Sequence, residues 1–552
     1  MTDTTLQPLA VLYQYEQQKA NAPFLHQPVK GNDWRHYTWA EATDQIRRMA
    51  TALQAMNLPP KSNIALISKN CAHWMMADYA IMMSGHISVP LYPNINAETM
   101  RYILEHSESK VLIVGKLDDW EGLKSGVPAG LRCISFPTFY GNSGGFENWD
   151  ELCAQHQALQ GYPLRDLNDV ATIIYTSGTT GKPKGVVMSF KSLSYATNMA
   201  FEVIDLKGKP NRFFSYLPLS HIAERMLVEM GALYSGSEIY FAESLDTFAD
   251  NLRHAQPTVF LGVPRIWTKF QMGILSKMPQ KKLNLLLKIP IVSSLIKLSI
   301  QRKLGLHRAT YCLSGAAPIP PSLIQWFGKL GINIQEAYGM TENCAYSHYC
   351  RKPKLGSVGQ AMPEVSVKIS EVGEILMKSQ ALMEGYYKQP ELNAEAFTPD
   401  GYLHTGDKGT ISKEGYLSIT GRVKELFKTE KGKYVAPAPI EMLLCENSLI
   451  EQVCVTGSNL PQPIGLVVLS AEASQQDRNE VKEQLEKHLN HINKQLDAHE
   501  RVKCLVILKE SWTVENGKLT PTLKIKRDPI EQQYVANYSP WYDKKQAVVW
   551  EA

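Results

Sequence analysis

Little in this chain is one-sided. Its 58 Lys and Arg nearly balance 54 Asp and Glu, which leaves a formal net charge of +4. Nucleic-acid binding calls for a concentrated basic face, so nucleic acid is not an expected partner. Cysteine is sparse and scattered: nine residues, no CxxC pair and no His/Cys spacing fit for zinc. This argues against a disulfide framework and favours reduced thiols in a cytoplasm. The opening residues, MTDTTLQPLAVLYQYEQQ, lack a basic region followed by a long apolar core, so no signal peptide is expected. No run reaches about 20 clean apolar residues. The most apolar stretch, 283–300, is interrupted by Lys288, Pro290 and Lys297. Two readings of it stay open: a half-buried surface helix pair, or an interfacial segment resting on a bilayer. Internal repeats and low-complexity tracts are absent.

What is present is length and alternation. A chain of 552 residues exceeds one core, so two or more domains are expected. Over 1–165, helical stretches (38–56, 72–85) alternate with short apolar runs such as NIALIS and KVLIVG. Thr38 followed by Glu41 is a capping-box pattern. The segment 134–150 reads as a loop. Alternation resumes over 169–340, and the expected fold class is α/β. From 356 to 420 short β-runs and turns replace it. A charged stretch follows, then a compact α/β pattern to the end.

The residues 175–185, YTSGTTGKPKG, carry the most information. Glycine lets backbone N–H groups turn toward oxygens, hydroxyls donate hydrogen bonds, and lysine adds a point charge. DVATIIY before it and GVVMSF after it read as buried strands, so a strand–loop–strand hairpin is predicted. The spacing of Gly178 and Gly181, with no Ser or Thr after Lys182, fails the Walker pattern. The loop resembles the phosphate loop of the AMP-forming adenylate enzymes, the acyl-CoA synthetase superfamily. Further stretches match in order: SYLPLSHIAERM (215–226), LSGAAPIP (313–320), QEAYGMTEN (335–343), GYLHTGD (401–407), GRVKELFK (421–428) and LTPTLKIKR (519–527). Several are written as in long-chain fatty acyl-CoA synthetases.

The resemblance implies a large N-terminal domain (1–420) of two α/β sheet lobes plus a β-subdomain, a hinge at 421–425, and a small mobile α/β C-terminal domain (426–552). It implies ATP, Mg²⁺ and coenzyme A as reactants, with a fatty acid as substrate. Thr176, Ser177, Gly178, Thr179, Thr180, Gly181 and Lys184 would wrap the phosphates. Gly315, Ala316 and Ala317 would pass close to the adenine. Glu336, Ala337, Tyr338, Gly339, Met340 and Thr341 would form the nucleotide segment, with Tyr338 stacked on the base. Asp407 would accept the ribose hydroxyls, braced by Arg422, and Lys424 would reach the nucleotide.

Glu342, with Thr176, would hold the magnesium; a lone glutamate is ordinarily a solvated surface residue, and the surrounding YGMTEN reverses that reading. Lys524 would neutralise charge in the adenylation transition state. Its neighbours Lys526 and Arg527 leave a solvated basic tail as the competing view. His221 would orient the substrate carboxylate or gate the acyl channel. Lys428 would contact coenzyme A.

Three alternatives remain. A fatty acyl-AMP ligase would hand the acyl group to a carrier protein. Such enzymes usually carry an insertion in the N-terminal domain that blocks domain rotation, and none is evident between residues 342 and 374. A non-catalytic nucleotide or lipid sensor would be expected to lack Lys524, Glu342 or the loop threonines, and all are present. A luciferase-like oxygenase shares the fold. The expected location is cytoplasmic, with peripheral contact at the inner face of a membrane if 283–300 rests on it.

Overall fold

The computed structural model describes residues 5–29, 33–141, 145–176, 182–206, 208–520 and 522–551. Two sheets build most of the chain. The first has eight strands, in the order Gly385–Tyr386, Lys184–Ser189, Val170–Thr176, Ile87–Leu91, Asn63–Ile67, Val111–Val114, Arg132–Ser135 and Glu147–Asn148. Its centre is parallel and buried on both faces: Asn63–Ile67 and Ile87–Leu91 are buried throughout. The helix Ala72–Met83 is likewise buried at every position, so it carries no polar face to read. Trp39–Ala55 is amphipathic and opens on the predicted capping box. Thr38 Oγ1 accepts from Glu41 N–H at 3.2 Å, and the Glu41 carboxylate accepts from Thr38 N–H at 2.8 Å.

The second sheet joins a parallel half to an antiparallel half. Ile334–Tyr338, Tyr311–Ser314, Val259–Leu261, Arg212–Ser215, Glu238–Phe241 and Pro23–Val29 run parallel, and Asp33–Thr38 closes the edge. On the other side His348–Tyr349 pairs antiparallel with Ile334–Tyr338 and leads into Gly359–Ala361, Tyr416–Arg422 and Leu403–Ile411. This is the short-stranded region expected over 356–420. The predicted hairpin is present, with Thr176 opposite Lys184 at its loop end.

A separate four-stranded sheet, Ile450–Thr456, Ile464–Leu469, Leu505–Ile507 and Val548–Trp550, carries the helix Arg478–Asn493 on one face. The reading of 134–150 as loop needs correction. Arg132–Ser135 reaches into it as a strand, Thr138–Tyr140 is a 3₁₀ turn, and Glu147–Asn148 pairs at the sheet edge. Edge strands this short carry no periodic signal. The stretch 283–300 is a helix pair, Gln280–Leu286 and Pro290–Leu304. No helix among the described residues is long and apolar enough to cross a membrane.

Candidate active site

The strand Ile334–Tyr338 ends where the two halves of the second sheet meet. Tyr338 Oη donates to Asp407 Oδ2 at 2.6 Å. Asp407 lies opposite Arg422 in the register of Leu403–Ile411 and Tyr416–Arg422, which brings Arg422 Nε to 3.0 Å from Asp407 Oδ1. Each carboxylate oxygen therefore has its own donor. The turn after Tyr338 requires glycine: a Cβ on Gly339 would stand 2.6 Å from the Ala345 backbone. Gly315 is similarly confined, its Cβ position being 3.0 Å from the Ala337 carbonyl oxygen. Ala316, at φ 65°, and Ala317 beside it are exposed.

Glu342 sits in the 3₁₀ turn Thr341–Asn343 and is 9% exposed. Burial raises its pKa, opposed by its own backbone N–H, the Tyr386 hydroxyl and the charges of Arg422 and Lys184. Tyr386 Oη donates to Glu342 Oε1 at 3.1 Å, and Lys184 Nζ lies 5.1 Å over the Tyr386 ring. The loop end of the hairpin and the turn Thr341–Asn343 thus meet at one tyrosine. Glu336 and Ala337 are half-buried in the same strand, and burial pushes Glu336 up to about 7. Ser177, Gly178, Thr179, Thr180 and Gly181 lie outside the described residues.

His221 caps the short turn Ile222–Glu224. Its Nδ1 accepts from the Ala223 N–H at 3.2 Å, so a neutral ring carries its hydrogen on Nε2. Burial, reinforced by the Lys524 charge, lowers its pKa to about 3. The approach to His221 is pinned from the other lobe. Asn70 Nδ2 donates to the Leu217 carbonyl at 2.5 Å, and Asn70 Oδ1 accepts from Leu219 N–H at 3.1 Å. Glu224 Oε1 accepts from Tyr216 N–H at 3.0 Å. Behind them Arg225, wholly buried, bonds Asp78 at 2.5 Å and Thr172 at 2.8 Å, tying this segment to the hairpin strand Val170–Thr176. Tyr216 also joins an aromatic cluster with Phe214, Phe248 and Phe260.

Lys524 comes from the far end of the chain. Its turn is closed by Thr520 N–H to the Lys524 carbonyl (2.7 Å) and Lys524 N–H to Thr520 Oγ1 (3.0 Å), with Leu523 at φ 61°. The residue stays solvent-exposed, yet protein crowds it at longer range. That desolvation lowers its pKa first, and Arg422 adds to it, while Asp407, Glu342 and Glu425 oppose. Lys524 therefore stands in the field of the groups assembled by the rest of the chain. Arg527 does not join them: it pairs with Glu441 (2.5 Å) and Glu425 (3.4 Å) and donates to the Val455 carbonyl (2.9 Å). Lys424 and Lys428 are exposed, Lys428 within 5.8 Å of the Tyr434 ring.

A family model described as "AMP-binding enzyme" matches residues 12–387, and one described as "AMP-binding enzyme C-terminal domain" matches 425–546. The chain belongs to the AMP-binding enzyme family. Curated relatives run nearly end to end with it. The long-chain-fatty-acid–CoA ligase FadD15 of Mycobacterium bovis is 28% identical over 593 aligned positions, covering 97% of each chain. The long-chain-fatty-acid–CoA ligase ACSBG2 of Rattus norvegicus is 26% identical, covering 93% of this chain and 89% of the relative. Long chain acyl-CoA synthetase 2 of Arabidopsis thaliana is 27% identical, covering 90% and 86%.

Solved structures share the fold of this AMP-binding enzyme. The adenylation domain of a carboxylate reductase from Mycobacterium chelonae superposes with TM-score 0.83 at 22% identity, covering 98% of this chain and 91% of that one. The A domain of a carboxylic acid reductase from Segniliparus rugosus, in complex with AMP and a co-purified carboxylic acid, gives 0.82 at 22% identity, covering 98% and 94%. The expected adenylate-forming fold is borne out. Two residues of the cluster were not anticipated. Tyr386 lies 44 positions from Glu342, and only the Gly-Tyr-Tyr at 385–387 hinted at it. Asn70, after an apolar strand, gave no signal.

Proposed function

We propose that this protein is an AMP-forming fatty acid–CoA ligase with preference for long-chain acids. The position of Lys524 carries the reading: a lysine from the C-terminal region enters the field of Glu342, Asp407, Arg422 and His221. Adenylation brings two anions together, so a fixed cation beside them lowers the barrier. A carboxylate oxygen attacks the α-phosphorus of Mg-ATP, the bond to the bridging oxygen breaks, and pyrophosphate leaves. The coenzyme A thiol, losing its proton, then attacks the acyl carbonyl and expels AMP.

Asp407 and Arg422 would exchange part of their mutual pairing for the ribose hydroxyls, and Tyr338 would lie against the adenine. Gly315, Ala316 and Ala317 leave room for the base. Thr176, the loop 177–181 and Lys184 would hold the phosphates. Glu342 and the Thr176 hydroxyl offer at most a few oxygens to magnesium. No group of three or more His, Cys, Asp or Glu fit to hold a metal exists among the described residues. A nearly uncaged site suits an ion bound chiefly by phosphates and water. His221, neutral with Nε2–H, is suited to donate to the substrate carboxylate.

The long-chain preference is supported by the names of the mycobacterial, rat and Arabidopsis relatives. The aromatic cluster around Tyr216, five residues before His221 in the chain, supplies apolar surface. A hinge over 421–425, between domains 1–420 and 426–552, would move Lys524 away for the second step and bring Lys428 to coenzyme A. The test is AMP release from Mg-ATP with unbranched acids of increasing length, with and without coenzyme A. The reading expects coenzyme A-dependent AMP release that is strongest with long acids. Accumulated acyl-AMP with no thioester would instead identify an acyl-AMP ligase. A preference for short or aromatic acids would overturn the long-chain assignment.

A further inference from the structure

Leu283 of the helix Gln280–Leu286 and Ile300 of the helix Pro290–Leu304 turn inward and are buried with Phe260, Trp267 and Phe327. The outward face is apolar as well. Ile291 is 77% exposed, Leu295 63% and Leu298 38%. Their spacing of four and then three residues places them on one stripe of the helix. Leu285 (63% exposed) and Ile289 (47%) continue that apolar surface from the preceding helix and its connection. Of the 15 exposed large hydrophobic side chains among the described residues, these five fall within 14 consecutive positions, so they form a patch and not the ordinary scatter.

Along the chain, the charge that flanks them is of one sign. Residues 251–335 contain no Asp or Glu and 12 Lys or Arg, whereas the rest of the chain has 46 Lys or Arg against 54 Asp or Glu. Lys281, Lys282, Lys288, Arg302 and Lys303 are exposed around the stripe. We propose that this face docks on an anionic lipid surface. The aliphatic side chains would enter the boundary between headgroups and acyl chains, while the cations meet headgroup phosphates. A second copy is a poorer occupant, because two such faces would bring cations against cations. The proposal does not depend on the acid being long-chain, and its test reads binding alone.

The test is flotation of the full chain with vesicles of phosphatidylcholine, and with vesicles of equal parts phosphatidylcholine and phosphatidylglycerol. The protein should float with the mixed vesicles, lose them as salt rises, and bind pure phosphatidylcholine at least about tenfold more weakly. Ile291→Asp with Leu295→Asp should abolish flotation. Lys281→Gln with Lys282→Gln should weaken it by roughly fivefold per cation. Leu245→Asp, at an 85% exposed leucine outside the patch, should bind like the parent. All these side chains are exposed, and unchanged melting temperatures would show that the variants fold. Four results would overturn the proposal: no flotation with either vesicle, equal flotation with both, an unaffected Ile291/Leu295 variant, or a concentration-dependent dimer that this variant dissolves.

Discussion

Replacing Lys524 by alanine should separate the two half-reactions. The side chain forms no ion pair within 4 Å among the described residues, and the turn is held by backbone groups that alanine retains. The change in stability should therefore stay within about 0.5 kcal/mol. What is lost is a cation beside Glu342, Asp407 and Arg422. A single preorganised contact to developing charge is worth about 10²–10³ in rate, roughly 2.7–4 kcal/mol. Arg422 remains, so the loss should not exceed that range. Acid-dependent exchange of labelled pyrophosphate into ATP should fall by this factor, while conversion of supplied acyl-AMP to thioester with coenzyme A should stay within about threefold of the parent. The parent enzyme adds a pH signature. Because the folded pKa of Lys524 lies below the 10.5 of a free lysine, its charge is lost as pH rises through that lower value. Adenylation should therefore decline on the alkaline side before pH 10.5, and the variant should lack that limb. Equal losses in both half-reactions, or an exchange loss under about tenfold, would refute the role.

Asp407→Ala removes the acceptor shared by Tyr338 and Arg422. The KM for ATP should rise by about tenfold or more, as expected from losing a hydrogen bond to a charged group worth roughly 1.5–3 kcal/mol; ATP titration of the exchange reaction checks it. Glu342→Gln should raise the magnesium concentration for half-maximal exchange by at least about tenfold, whereas the melting temperature should hold or rise, because burial already disfavours the charged form. Glu224 is wholly buried, and burial pushes its pKa up to about 8 from the usual 4.5. Between these values the folded chain keeps a proton that the unfolded chain has lost, so stability falls as pH rises from 4.5 toward 8. Glu224→Gln should preserve the Tyr216 N–H contact and flatten that slope in urea unfolding series; an unchanged slope would assign the effect elsewhere.

Local signals were readable where the physics is local. The hairpin around residues 177–183 showed because apolar strands flank a Gly/Ser/Thr run, and the Thr38–Glu41 box showed because both partners lie within one turn. Asp407 and Arg422 come together through one hairpin, whose first strand lies in the region 356–420 read as short β-runs and turns. Contacts across long separations left no trace in the local pattern, and only the family resemblance set Tyr338 and Asp407 about one nucleotide. Tyr338 reaches Asp407 over 69 positions, and Arg225 reaches Asp78 over 147 in a site with no exposure to advertise polarity. The basic trio 524–527 was ambiguous in sequence because its side chains are chemically alike. Tertiary pairing removes one member, by committing Arg527 to Glu441 and Glu425.

On the proposed function, one site adenylates a fatty acid and then passes it to coenzyme A. The most direct measurement is a single-turnover experiment with α-labelled ATP, magnesium and palmitate, followed by a coenzyme A chase. The account predicts that palmitoyl-AMP forms before coenzyme A is added and that labelled AMP and palmitoyl-CoA appear together within the same turnover afterwards. Failure to form the adenylate, or an adenylate that coenzyme A leaves untouched, would contradict it.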